Sequence, residues 1–273
     1  MNYETLSPDE KWNQAGLSNN FIFYKVFRNN PKECKHLLEL LLGFKINRIE
    51  ISQEETVLTD PNSKGIRMDL YIQNQNECID LELQAINTKE LPERARYYQS
   101  VMDVDSLKAG KAYKELKTSY VIFICMSDIY GKGYPLYTFQ NTCKEDNSIS
   151  MGDRTYKLFY ICENSDKLLN VNQRNFFNLL NNKQPEDKFT KQLQKLIEDA
   201  KHNSQWRMQY MEYERQRTYD REAGYEMGLK SGKEEKSIEA AKAFLLEGDS
   251  AEKISRCIGI PIEKVLELQN QIK

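Results

Sequence analysis

Two short arms of alternating apolar and polar residues, Ile66-Arg67-Met68-Asp69-Leu70-Tyr71-Ile72-Gln73 and Cys78-Ile79-Asp80-Leu81-Glu82-Leu83-Gln84, flank the polar turn Asn74-Gln75-Asn76-Glu77. A period of two belongs to strands that bury one face, so the segment predicts a hairpin. If the turn closes on Gln75 and Asn76, residue 74 faces 77. Counting outward then sets Asp69 directly across from Glu82, and Gln84 across from Arg67. Directly opposed residues have Cβ atoms about 4.5–5.5 Å apart, where two carboxylates repel unless something neutralises them. A divalent cation is one such partner. Magnesium and manganese take hard oxygen ligands and often use only one or two protein carboxylates, which leaves room for a phosphate and a water. The same pattern fits an open sheet face, where carboxylates merely keep a strand solvated. Asp80 shares the face of Glu82 and suits either reading; spacing does not separate them.

Composition removes several other chemistries. The chain has 273 residues and is 40% hydrophobic, enough for one substantial α/β domain and a small accessory one. The polar opening Met1-Asn2-Tyr3-Glu4-Thr5 has no leader pattern, and no apolar run approaches the ~20 residues of a membrane span. The expectation is a cytoplasmic protein without membrane contact. Cys34, Cys78, Cys125, Cys143, Cys162 and Cys257 form no C-x-x-C pair, so reduced and mostly buried thiols are expected rather than a zinc site. With His36 and His202 the only histidines, catalytic triads and His-rich metal sites have almost no raw material. Carboxylate chemistry is what remains. A net charge of −2 and a pI near 5.9 give no global basic field, so nucleic-acid binding must use a local patch.

Along the chain, Asn20 to Phe27 reads as a helix with an aromatic stripe, and Pro31 opens a second helix that stops at Gly43. Ile46 to Leu58 reads as a strand or strand pair. Glu93 to Leu116 fits a long helix interrupted near Gly110, and Tyr120–Met126 and Tyr156–Ile161 read as strands. On such a helix Lys108, Lys111 and Lys114, followed by Lys117, would make either a basic stripe for phosphates or a solvated face. Tyr113, Phe123, Phe159 and Tyr160 read as core aromatics. Helices and strands in this order imply a mixed sheet with helices packed on it.

Beyond Pro185 the sequence becomes charged and helix-forming, and Gly224, Gly228 and Gly232 recur every fourth residue among charged neighbours. A helical linker or self-association stalk fits this better than a membrane crossing. Short helices are expected over 237–244, 251–257 and 261–271; the last two could form a helix-turn-helix or a dimerisation unit. The expected organisation is one α/β domain over 1–185, a helical linker or stalk over 186–236 and a small helical module over 237–273.

Asp69, Glu82-Leu83-Gln84, Arg94-Ala95-Arg96-Tyr97-Tyr98 and Gly110-Lys111-Ala112-Tyr113 follow one another in an order and spacing that resemble the Rpn family of recombination-promoting nucleases and transposase-like proteins, within the PD-(D/E)XK nuclease superfamily. The opening Asn20 to Phe27 is similar to the family's N-terminal helix, and the glycine-punctuated tail with Ala241-Lys242 to Gly248 is similar to its C-terminal region. The resemblance implies an α/β, restriction-endonuclease-like mixed sheet flanked by helices, with a helical C-terminal extension. It also implies metal-dependent phosphodiester cleavage of DNA, linked to recombination or mobile elements.

Carried over by position, Asp69 and Glu82 would hold the metal, with magnesium expected and manganese or calcium as alternatives, and Gln84 would stand where the motif lysine usually stands. Glutamine supplies no positive charge and no base, but its amide can orient a water. Asn20 stands where the family's first helix usually has an aspartate, which would weaken a second metal or a water contact. Arg94 and Tyr98, four apart on one helix, would hold a phosphate or brace the carboxylates. DNA and a second copy of the chain, met through the tail, are the expected partners. The alternative is a weakened nuclease acting as a DNA-binding or oligomeric interaction protein.

Overall fold

The computed structural model describes residues 6–52, 56–57, 66–67, 70–86 and 88–272. Helices α1 (Pro8–Gln14), α2 (Asn20–Asn29) and α3 (Pro31–Leu42) come first. Strands β1 (Glu50–Ile51), β2 (Thr56–Val57), β3 (Ile66–Arg67), β4 (Leu70–Gln73) and β5 (Glu77–Gln84) follow, then α4 (Leu91–Ser106). Strands β6 (Thr118–Cys125), β7 (Leu136–Phe139) and β8 (Thr155–Ile161) lead to α5 (Val171–Leu180), α6 (Lys188–His202), α7 (Ser204–Leu246), α8 (Ala251–Ile258) and α9 (Ile262–Ile272).

The hairpin has the counted register. Leu70 pairs with Leu81, Tyr71 with Asp80 and Gln73 with Cys78, and the Asn74 amide donates to the Glu77 carbonyl across the turn. Asp69 and Met68 lie outside the described residues, and so does the predicted opposition of Asp69 to Glu82. The main sheet has six strands in the order β1-β4-β5-β6-β8-β7, parallel from β5 through β6 to β8 and antiparallel at both margins. β2 and β3 pair separately.

Helices cover both faces, as a parallel centre requires. On one side lie Ile22, Phe23, Val26 and Phe27 of α2, Leu37 and Leu38 of α3, and Phe176 and Phe177 of α5, all buried. The Tyr160 ring stacks on Phe177, and its hydroxyl donates to the Leu41 carbonyl. On the other side Leu91, Ala95, Tyr98, Val101 and Met102 of α4 meet Tyr71, Cys78, Val121, Phe123, Cys125, Phe159 and Ile161. Cys78 has the parity of Asp80 and Glu82 on β5, so α4 lies over the acidic face of the hairpin. The solvated-face reading therefore fails: alternation shows which residues share a face, not what covers it.

Local sequence sets the ends. Asn19 caps α2, its side chain accepting from the Phe21 and Ile22 amides, and Pro31 and left-handed Gly43 (φ 78°) bound α3 as predicted. The predicted long helix to Leu116 is instead α4, which stops at Ser106 before left-handed Gly110 (φ 83°) and one 3-10 turn at Tyr113–Glu115. The lysine stripe depended on that helix and does not form as one helical face. Tyr113 is 85% exposed, against the expectation of a core residue, whereas Phe123, Phe159 and Tyr160 are buried.

Packing divides the chain into Met1–Met208 and Gln209–Lys273. The composition change at Pro185 marks no break, because α6 buries Leu193, Ile197 and Ala200 and contacts α2 and α5. In the second unit Ala241, Ala251, Ile254, Val265 and Leu268 form their own small core, and α8 and α9 meet at left-handed Gly259 (φ 79°).

Candidate active site

Strand alternation puts Asp80, Glu82 and Gln84 on one face of β5, and their burial is strong: Asp80 is 0% and Glu82 4% exposed. Charged carboxylates are rarely so deeply buried without compensating partners. One partner comes from the first turns of α4. The Arg94 guanidinium donates to Glu82 Oε2 (3.2 Å), Gln84 Oε1 (2.9 Å) and the Tyr98 hydroxyl (3.1 Å). Its carbon also lies 5.4 Å from the ring centres of both Tyr98 and Phe123. Arginine suits this place because its planar fork presents several donors in fixed directions, while Lys offers a single point charge. The i,i+4 spacing aligns Arg94 and Tyr98 on the helix.

Gln84 is engaged at both ends of its amide: the oxygen accepts from Arg94 and the nitrogen donates to the Ile86 carbonyl. Asn20, the first residue of α2, donates from Nδ2 to the Leu83 carbonyl at 3.0 Å. Thus Asn20, Glu82, Gln84, Arg94 and Tyr98, predicted from separate stretches, come together at the C-terminal end of β5. Asp69 lies outside the described residues. Burial, followed by the negative charge of Glu82, pushes the Tyr98 phenol up to about 12 against the opposing pull of Arg94. Tyr98 therefore stays protonated at neutral pH and serves as a hydrogen-bonding group, not as a base.

Asp128 was not picked out from the sequence. It opens the loop after β6, the strand whose Cys125 pairs with Gln84, and accepts from the Tyr130 amide (3.0 Å), the Gly133 amide (2.7 Å) and the Tyr137 hydroxyl (2.9 Å). Burial works to raise its pKa, but these hydrogen bonds win and lower it. The available signal was an acid two residues before a tyrosine in a loop punctuated by Gly131 and Gly133, which is too common to single out.

The donor chemistry fits a hard cation. Carboxylates stand two apart at Asp80 and Glu82, while burial pushes the thiols of Cys34, Cys78, Cys125 and Cys162 up to about 12, far from the thiolate form that soft metals take. Among the described residues no three His, Cys, Asp or Glu side chains cluster as a metal group, and Asp69 is outside that set.

A mixed sheet with helices on both faces, and a carboxylate, amide and guanidinium gathered where a central strand ends, defines the restriction-endonuclease-like α/β class. A family model described as PD-(D/E)XK nuclease family transposase matches residues 17–235, and the chain belongs to that family. No curated protein and no solved structure matches it. Among the described residues no helix is long and apolar enough to cross a membrane.

Proposed function

We propose that the chain is a divalent-metal-dependent DNA endonuclease, hydrolysing phosphodiester bonds in recombination or the movement of DNA elements. The observation that carries this reading is the buried Glu82 carboxylate, gripped by Arg94 beside Gln84 within a nuclease family fold. Asp69 and Glu82 would hold the metal, magnesium first, with manganese or calcium as substitutes. Asp69 directly precedes Leu70 in the sequence, and Leu70 pairs with Leu81, the residue before Glu82. When bound, a divalent cation supplies positive charge against a phosphate oxygen and lowers the pKa of an attacking water.

The chain's own residues do the positioning. Arg94 fixes the direction of the Glu82 carboxylate and keeps positive charge in a site whose motif lysine is replaced by Gln84. Gln84, held at both ends, presents its second amide N–H in a set orientation, suited to directing a water rather than taking its proton. Tyr98 braces Arg94 from one turn further along α4. Asn20 engages the Leu83 carbonyl, so an amide occupies the place where an acid would add negative charge.

The partner is DNA. The expected homo-oligomer belongs to the same proposal, with copies meeting through the C-terminal helical region.

Supercoiled plasmid incubated with magnesium, manganese or calcium tests the enzyme reading. The native chain should produce nicked or linear product, and both Asp69→Ala and Glu82→Ala should abolish it while remaining folded. Equal cleavage by native and Glu82→Ala protein would contradict the assignment. DNA binding without cleavage, unchanged in Asp69→Ala, would instead favour the weakened-nuclease reading raised by Asn20.

A further inference from the structure

In α7 every residue from 219 to 231 is exposed, on all sides of the helix, and so are 233–236, with Gly232 half-exposed. This stretch contains Gly224, Gly228 and Gly232, and a Cβ added at any of them would meet nothing within 4 Å. Glycine is the poorest helix former after proline. Three of them inside an exposed stretch of α7 leave it weaker than the parts of the same helix that bury Tyr210 and Ala241, since most helical stability in proteins comes from packing.

The charges around the glycines are ordered. Arg217, Arg221, Gly224, Gly228, Gly232, Glu235 and Glu239 follow at spacings of four, three, four, four, three and four, which keeps all of them on one stripe of the helix. The stripe is basic at its N-terminal end and acidic at its C-terminal end. It is also symmetric about Gly228, with each arginine matched by a glutamate at the same distance on the other side. Arg217 makes an i,i+3 ion pair with Glu214 at 3.0 Å, and a guanidinium has further N–H donors.

We propose that a second copy of this chain covers this stripe, the two α7 helices running antiparallel and crossing at Gly228. A two-fold axis through Gly228 sets Arg221 against Glu235 of the partner subunit and Arg217 against Glu239 of the partner subunit, each contact made twice. The glycines let the backbones approach closely where the helices cross. A parallel pair would instead set arginine against arginine and glutamate against glutamate. Nucleic acid fits the stripe poorly, because Glu235 and Glu239 would repel the phosphates that Arg217 and Arg221 attract. The best complement of this face is its own reversed copy, which makes the contact isologous and closed at two subunits. This specifies the self-association proposed above and needs no nuclease chemistry, so an inactive chain would still pair.

Sedimentation of the full chain at low and high salt, with circular dichroism confirming helix content, tests the pairing. The native chain should be a dimer that weakens with salt. Arg221→Glu and Glu235→Arg should each raise the dissociation constant about tenfold or more, because like charges then face each other, and the double variant should restore the dimer. Disulfide formation in a background with Cys143→Ser and Cys257→Ser fixes the direction. Gly228→Cys should cross-link to itself. Gly224→Cys should not, but should cross-link when mixed with Gly232→Cys. A monomer at all concentrations, a double variant no better than the singles, or self-linking at 224 without linking at 228 would each overturn the proposal.

Discussion

At Arg94 a single guanidinium orients a buried carboxylate, an amide and a phenol together, so its loss should be felt in both stability and chemistry. Arg94→Ala leaves part of the hydrogen bonding at Glu82 unmet, and the urea midpoint should fall by an amount equivalent to roughly 1.5–3 kcal/mol. Arg94→Lys keeps the charge but cannot span Glu82, Gln84 and Tyr98 together, so it should fall between the two. Asn20→Asp replaces the Nδ2 donor to Leu83 with a carboxylate facing a carbonyl. The variant should melt below the native chain in chelator, and magnesium should raise its melting temperature more than it raises the native value. Equal shifts would show that position 20 lies outside the cation's reach. Much of this cluster was readable in the sequence, since a period of two grouped Glu82 with Gln84 and an i,i+4 spacing grouped Arg94 with Tyr98. What Asn20 touches was not readable, because a contact across 63 positions leaves no local pattern.

The elements show where periodicity informs and where it fails. Capped or continuous elements, such as α3 between Pro31 and Gly43 and the buried run of β6, came close to their expected bounds. Errors arose where a helical-looking charge pattern continued past the last buried contact. Lys108 to Leu116 has the spacing of a helix but little to pack on it, and Lys111 pairs with Glu115 (3.1 Å) across an exposed turn. β7 was missed because it is short, its last two residues are exposed, and it sits at the sheet edge. α6 offers a sharper test. Asp187 caps it, accepting from the Thr190 amide (2.7 Å) and from Asn175 (3.0 Å). Burial acts to raise the Asp187 pKa, but these hydrogen bonds prevail and lower it. A depressed carboxyl contributes stability above its unfolded pKa and loses it as pH falls through the folded value. Asp187→Ala should therefore cost about 1 kcal/mol at pH 7, read by urea unfolding, and the cost should fade in strong acid. A cost that persisted undiminished in strong acid would mean that Asp187 acts through packing.

For the whole molecule, the chain packs as two units whose boundary falls within the sequence of α7, and the family match covers 17–235 but not the final helices. The buried cysteines report on the integrity of the first unit. Cys34, Cys78, Cys125 and Cys162 are buried and Cys257 is exposed. A thiol reagent should modify Cys257 quickly in the native protein and reach the four buried thiols only on unfolding; fast labelling of Cys125 would mean that the site end of β6 opens. The two-unit division was only partly readable from composition, because α6 is charged on its outer face yet buries Leu193 and Ile197 on its inner one. In the proposed function the Glu82 carboxylate of β5, with Asp69, takes up a cation. Titration of manganese into the chelator-treated protein, followed by electron spin resonance of the free ion, measures this without DNA or turnover. Native protein should bind manganese and be displaced by magnesium, while folded Glu82→Ala and Asp69→Ala should leave the ion free. Unchanged binding in Glu82→Ala would contradict the account.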